Sequence, residues 1–366
     1  MAFKVAHISD IHVARQPEKS AEADVNYLRS YLKRVMPIAG DLGGVLTRYA
    51  GQKIEEKDFQ KNYIKVLEQI RDVGGRIDAK TVIGLSVGLF GASMGLAFIY
   101  RRELMKLLSA LQYRERKEMR EVLLAGLEQE RPNVVLVTGD LTTVASETEF
   151  HEAKVFLDGI KNLKCKPVVL VIPGNHDVED ARKGEKHARL DTYAKVFSDY
   201  LPKSVVPLKA DFGEVVIFGV NSNTVGRGLG TDGRVVSRSM EFLKREFATV
   251  KGRAKLLAIH HHLAKYGREP RVPPLENARE LLEIAEEGGV RLICHGHKHE
   301  FYEWRYSGNG KPAEDSEDAI TVVCAGTSTE ATTWKPKKLQ FRVFEFDNGA
   351  LPDPSGKTVT LNLPKK

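Results

Sequence analysis

Five short clusters of Asp, Asn and His constrain this chain more than any other feature, because each directly follows an apolar run of strand length. Residues 2–9 lead into Asp10-Ile11-His12, and Val134–Thr138 leads into Gly139-Asp140. Val168–Ile172 precedes Gly174-Asn175-His176-Asp177, Lys255–Ile259 precedes His260-His261-His262, and Val290–Cys294 precedes His295-Gly296-His297-Lys298-His299. Short runs rich in Val and Ile read as buried strands. Val215–Val220, Ile320–Ala325 and Leu339–Phe346 share that character. Helical periodicity lies between several of them, over Glu147–Leu163, Ser237–Val250 and Leu275–Glu287. Ser146 and Glu149 have the spacing of a capping box at the first of these helices. Strands alternating with helices predict an α/β layered fold, and such folds assemble sites at the carboxyl ends of strands. Period-two alternation predicts Asp10 on one face with His12, and His297 with His299.

Carboxylate, amide and imidazole donors with almost no Cys select a borderline-to-hard divalent cation: Mn, Fe, Zn, Co or Ni. There are too many donors for one ion, and two ions bridged by a carboxylate would use them all. Such a pair acidifies a shared water and clamps a phosphoryl group for in-line attack. A lone D-x-H or a lone His triplet is ordinarily structural; the information lies in all five clusters occurring in order at strand ends.

At 366 residues the chain is long enough for two or three domains. Its net charge of +7 is spread along the sequence. That balance suits an anionic substrate, and without an aromatic-interleaved basic stretch nucleic acid is not an expected partner. Cys165, Cys294 and Cys324 form no C-x-x-C, which disfavours a disulfide framework and predicts free thiols in a reducing compartment. The amino terminus shows no secretory pattern, so the expected location is cytoplasmic, with peripheral membrane association as its variant. Residues 15–129 are rich in helix formers, over Ala23–Met36, Asp58–Val73, Ala79–Tyr100 and beyond, and read as a helical insertion. Within it, Thr81–Tyr100 carries no charge and contains two Gly pairs at small-xxx-small spacing. A single membrane span there would separate Asp10 and His12 from the clusters beyond residue 140. The expectation for 81–100 is therefore membrane or lipid contact with both ends on one side, self-association, a cover for an apolar substrate, or a buried core helix of the insertion.

The ordered series D-x-H, G-D, G-N-H-D, H-H and G-H-x-H resembles the calcineurin-like metallophosphoesterase superfamily, over roughly residues 2–14 and 130–348. The resemblance implies an α/β fold, a double β-sandwich flanked by helices. The core would comprise residues 1–14 plus 130–348, with the insertion 15–129 between its first two strands and a tail at 349–366. It implies two divalent metal ions (Mn, Fe or Zn). Asp10, His12 and His299 would hold the first, Asn175, His261 and His297 the second, and Asp140 would bridge. His261 follows from the family register, in which the ligand lies two residues before a proline; Leu263 stands at that place here, and His260 is the alternative. His176 would protonate the leaving oxygen or stabilise phosphoryl charge, with Asp177 orienting its ring. Gly139–Thr142, Ser146–Phe150 and Asp177 resemble the cyclic-nucleotide and glycerophosphodiester phosphodiesterase branch. The implied substrate is a phosphodiester: a small diester, a cyclic nucleotide or a lipid-linked phosphate. A phosphomonoesterase or nuclease of the same superfamily, or a non-catalytic scaffold for a membrane or partner, are the alternatives.

Overall fold

In a computed structural model, the chain stacks two β-sheets face to face and covers each outer face with helices. The structure describes residues 2–13, 119–143, 145–178, 189–201, 207–223, 233–264, 275–307, 311–312, 319–326, 339–351, 353 and 356–361. All belong to one compact unit, residues 1–14, 116–331 and 337–366. A second unit, residues 15–115 with 332–336, lies outside the described residues, and with it the uncharged stretch 81–100 and most of the expected helical insertion. Among the described residues no helix is long and apolar enough to cross a membrane.

The first sheet has the order β12-β11-β1-β2-β3. Its central strands β1 (Phe3–Ile8), β2 (Val134–Val137) and β3 (Val168–Val171) are parallel, with Val5 opposite Val134 and Val134 opposite Val168. β11 (Leu339–Phe346) returns antiparallel to β1, and β12 (Lys357–Leu361) closes the edge. The second sheet contains β4 (Leu208–Asp211), β5 (Val215–Gly219), β6 (Ala254–Ala258), β7 (Leu292–His295), β8 (Phe301–Ser307), β9 (Lys311–Pro312) and β10 (Ile320–Ala325), ordered β4-β5-β6-β7-β10-β8-β9. Strands β5, β6, β7 and β10 run parallel. The continuous apolar runs are the strands buried on both faces, as parallel pairing requires. Strand β8 escapes the apolar-run criterion because aromatic and charged residues alternate along it and most of its side chains stay half-buried. The carboxyl-terminal tail expected over 349–366 contains the edge strand β12.

Helix α1 (119–130) and α2 (Glu147–Lys161) cover the first sheet, burying Met119, Leu123, Leu127, Phe150 and Leu157 in one core. Ser146 caps α2: the Glu149 N–H donates to Ser146 Oγ at 3.3 Å and the Ser146 N–H to Glu149 Oε2 at 3.2 Å. Short helices α3 (Asn175–Val178) and α4 (Leu190–Val196) follow β3. Helices α5 (Ser237–Thr249) and α6 (Ala278–Glu287) pack on the second sheet through Leu243, Phe247, Leu281 and Ala285. Between the sheets lies a third core that includes Val5, Leu136, Ile217, Leu256, Cys294 and Phe344. Its site-proximal end is polar. Arg342 of β11 donates to Glu303 of β8 at 2.6 Å, joining the two sheets by a part-buried ion pair, with the Phe301 ring 4.4 Å from the guanidinium carbon.

His7 shares that interior. It is fully buried, with Nε2 2.9 Å from Thr138 Oγ1. Burial first, and neighbouring His295 second, push its pKa down from 6.5 to about 3. The unfolded chain therefore binds a proton near pH 6.5 that the folded chain refuses, and stability falls as pH drops below that value. Acidification from about pH 6.5 to 5.0 should remove about 2 kcal/mol of unfolding free energy through His7. Urea melts in chelator should show His7→Gln losing correspondingly less than wild type; equal losses would refute the assignment.

Candidate metal centre

The carboxyl ends of β1, β2, β3, β6 and β7 meet at one edge of the sandwich, and the chain turns sharply as it leaves them. Nine described non-glycine residues have positive φ, and five are Asp10 (52°), His12 (44°), Asp140 (52°), His297 (73°) and His299 (52°). That backbone region costs most side chains energy, and its concentration here marks strain stored at a site. It also corrects the alternation argument. β1 ends at Ile8 and β7 at His295, so Asp10 and His12, like His297 and His299, are brought together by left-handed turns rather than strand pleat.

The turns interlock through backbone bonds. The Asp10 N–H donates to Gly139 O and the His12 N–H to Asp140 O, at 3.1 and 2.8 Å. The His297 N–H donates to the Asp10 carboxylate, 3.0 Å from Oδ1 and 3.1 Å from Oδ2, tying the two sheets. Two glycines are required by close approach. A Cβ on Gly174 would lie 2.1 Å from Asp140 Oδ1, and one on Gly296 would lie 2.5 Å from Asp10 Oδ2.

Two groups of ligand atoms result, each with its members within 4.8 Å of one another, and both contain Asp140. The first comprises Asp10, His12, Asp140 and His299. His12 Nε2 lies 2.9 Å from His299 Nε2 and 3.6 Å from Asp140 Oδ2, and His299 Nε2 lies 3.3 Å from Asp10 Oδ1. The second comprises Asp140, His260 and His297. The Asn175 Oδ1 atom joins it, 3.1 Å from His260 Nε2 and 3.0 Å from His297 Nδ1. His260, the alternative from sequence, thus stands in the second group. His261 does not: its Nδ1 lies 2.7 Å from Ser222 Oγ instead.

This chemistry fits cations. His12 Nδ1 faces the Thr142 carbonyl at 3.1 Å and His260 Nδ1 the Thr138 carbonyl at 2.8 Å. Each carbonyl can only accept, so each ring carries its proton on Nδ1 and turns a bare Nε2 lone pair toward the other ligand atoms. Lone pairs and carboxylates gathered at these distances repel unless positive charge lies among them. A proton takes that place where it can: burial opposes charge on His260, yet Asp140 raises its pKa to about 9. The Asp140 carboxyl is held well below its usual range; burial acts against this, and His260 and His176 outweigh it. Among the described residues the ligand atoms are oxygens and imidazole nitrogens without thiolate, a set suited to Mn, Fe or Zn.

His176 sits at the rim, half-buried, its ring 5.0 Å from that of His12 and nearly perpendicular to it. The Thr143 carbonyl, 2.8 Å from Nδ1, holds its ring. This corrects the expectation that Asp177 does so. The Asp177 carboxylate instead accepts from Thr142 N at 2.8 Å, Thr142 Oγ1 at 3.0 Å and Gly174 N at 2.9 Å, clamping the turn after β2 to the turn after β3. Burial, with Asp140 adding to it, pushes the Asp177 pKa to about 6 against those hydrogen bonds. Sequence reasoning also missed Thr142, Thr143 and Ser222, whose residue types are common in any loop.

A family profile described as calcineurin-like phosphoesterase matches residues 3–301. No curated protein matches the chain. Among solved structures, a purple acid phosphatase from yellow lupin (Lupinus luteus) seeds is similar at 14% identity and a TM-score of 0.48, over 66% of this chain and 49% of that one. The alignment thus spans about half of the lupin chain. A dimetal phosphatase from Danio rerio is similar at 14% identity and a TM-score of 0.41, over 69% of this chain and 90% of that one.

The clamp role of Asp177 separates it from His176. Asp177→Asn should lower unfolding free energy by about 3 kcal/mol in metal-free urea melts, because an amide cannot accept all of these buried donors. His176→Ala should leave the same melts within about 0.5 kcal/mol of wild type, since that ring makes one rim hydrogen bond.

Proposed function

The chain belongs to the calcineurin-like phosphoesterase family, and we propose that it is a metal-dependent phosphoesterase that hydrolyses a phosphodiester at the centre around Asp140. The observation that carries this reading is the pair of ligand-atom groups sharing that one carboxylate. We assign Asp10, His12 and His299 to one cation, Asn175, His260 and His297 to the other, and Asp140 to both. When bound, the two cations supply Lewis acidity, which activates water and offsets charge on the phosphoryl oxygens.

The chain's own groups do the rest. With Nδ1 given to the Thr143 carbonyl, His176 has Nε2 left for the substrate. Protonated there, it delivers a proton to the leaving oxygen as the phosphorus–oxygen bond breaks, so that an alcohol rather than an alkoxide departs. The product is a phosphomonoester. What favours a diester is the resemblance of Gly139–Thr142, Ser146–Phe150 and Asp177 to the phosphodiesterase branch, while Leu141-Thr142-Thr143 after Asp140, without the arginines that protein phosphatases carry there, disfavours a protein phosphatase. The small positive charge excess suits an anionic ester of modest size.

Purified protein with Mn²⁺ should turn over bis-p-nitrophenyl phosphate faster than p-nitrophenyl phosphate. Chelator should abolish this and added Mn²⁺ restore it. Asp140→Asn should be inactive, whereas His176→Ala should keep its metal and lose about 10²–10⁴-fold in kcat. Preference for the monoester would overturn the diester reading, and turnover by Asp140→Asn would overturn the centre itself.

A further inference from the structure

Behind the second group of ligand atoms lies a buried hydroxyl–imidazole pair to which the reaction gives no part. Ser222 sits in the turn after β5, and His261 directly follows His260. They are 0% and 1% exposed. We propose that Ser222 is a positioning residue: through His261 it holds the His260 and His297 rings in the orientation that binds the second cation. This rests on the assignment of His260 and His297 under the proposed function.

Hydrogen bonding supports it. The His261 backbone N–H donates to Ser222 Oγ at 3.3 Å, and that oxygen lies 2.7 Å from His261 Nδ1. One hydroxyl therefore binds both the backbone and the ring of His261, which fixes how the ring leaves the turn after β6.

Packing converts this state into orientation. The His261 ring lies 4.5 Å from that of His297 and 5.2 Å from that of His260, between centroids. Gly233 closes against the same ring, since a Cβ there would come 2.4 Å from His261 Cγ. The ring is therefore confined by Gly233 and by both ligand rings, and the Ser222 hydrogen bond selects its rotation within that space. Without the hydroxyl, the His261 ring can turn, and the ligand rings packed on it turn too.

The test uses the full-length chain, stripped with chelator and titrated with Mn²⁺ in a calorimeter. Wild type should take up two ions. Ser222→Ala should bind one as wild type does and the other about 10–100-fold more weakly, the usual effect of removing a partner that orients a ligand. Its metal-free melting temperature should stay within about 3 °C of wild type, while the rise produced by Mn²⁺ should shrink. Wild-type affinity at both sites in Ser222→Ala would overturn the proposal. So would equal weakening of both sites with a large metal-free loss of stability, which would make Ser222 merely structural. If wild type itself bound no Mn²⁺, the phosphoesterase reading would fall, and this role with it.

Discussion

Everything at this centre depends on one buried carboxylate facing several lone pairs. Asp140 is 1% exposed, and its Oδ2 approaches His12 Nε2 at 3.6 Å and His260 Nε2 at 3.4 Å. Its Oδ1 accepts the His176 backbone N–H at 2.9 Å. A charge buried this deeply is tolerated only with compensation, and the compensation here is cationic. The surroundings follow from that requirement. Gly174 must lack a side chain to let Asp140 in, Thr138 and Thr142 must lend carbonyls to orient the imidazoles, and Asp177 must hold the two turns together.

Such an arrangement is expensive in local terms, because five residues of the two groups occupy left-handed backbone and several imidazoles are buried. The fold can carry it because the strain sits where extensive apolar layers end. Three cores, one between the sheets and one under each helical face, lock the parallel strands whose carboxyl ends carry the two groups of Asp and His side chains. The Arg342–Glu303 ion pair and the His297–Asp10 backbone bond join the sheets near that edge. Parallel pairing matters for function as well as stability, since within each sheet it points the donor-bearing turns the same way, three from the first sheet and two from the second.

Much of this was legible in the sequence. Apolar runs located the parallel strands because residues buried on both faces leave a continuous signal. The Ser146–Glu149 spacing located the start of α2, because a capping box is local chemistry. The five donor clusters located the centre. What stayed illegible was either weakly patterned or relational. Strand β8 mixes aromatic with charged residues, and β12 is an exposed edge. The choice between His260 and His261 depended on which ring the turn after β6 aims at Asn175, and adjacent histidines look alike in a sequence. The ring-orienting role of Asp177 was carried over from the family resemblance, whereas the short helix α3 carries its carboxylate back to Thr142 and Gly174.

By itself, then, the sequence determined the kind of chemistry and the kind of fold. Residue type sets ligand hardness, and hydrophobic period sets strand or helix, and both are properties of short stretches of chain. Tertiary structure alone decided which histidine faces the second group, which carbonyl holds His176, and that Ser222 stands behind His261. These depend on distances between residues far apart in the chain, such as His260 and Thr138, 122 positions apart. Only the packing of two sheets, with the turns it forces into left-handed backbone, sets those distances.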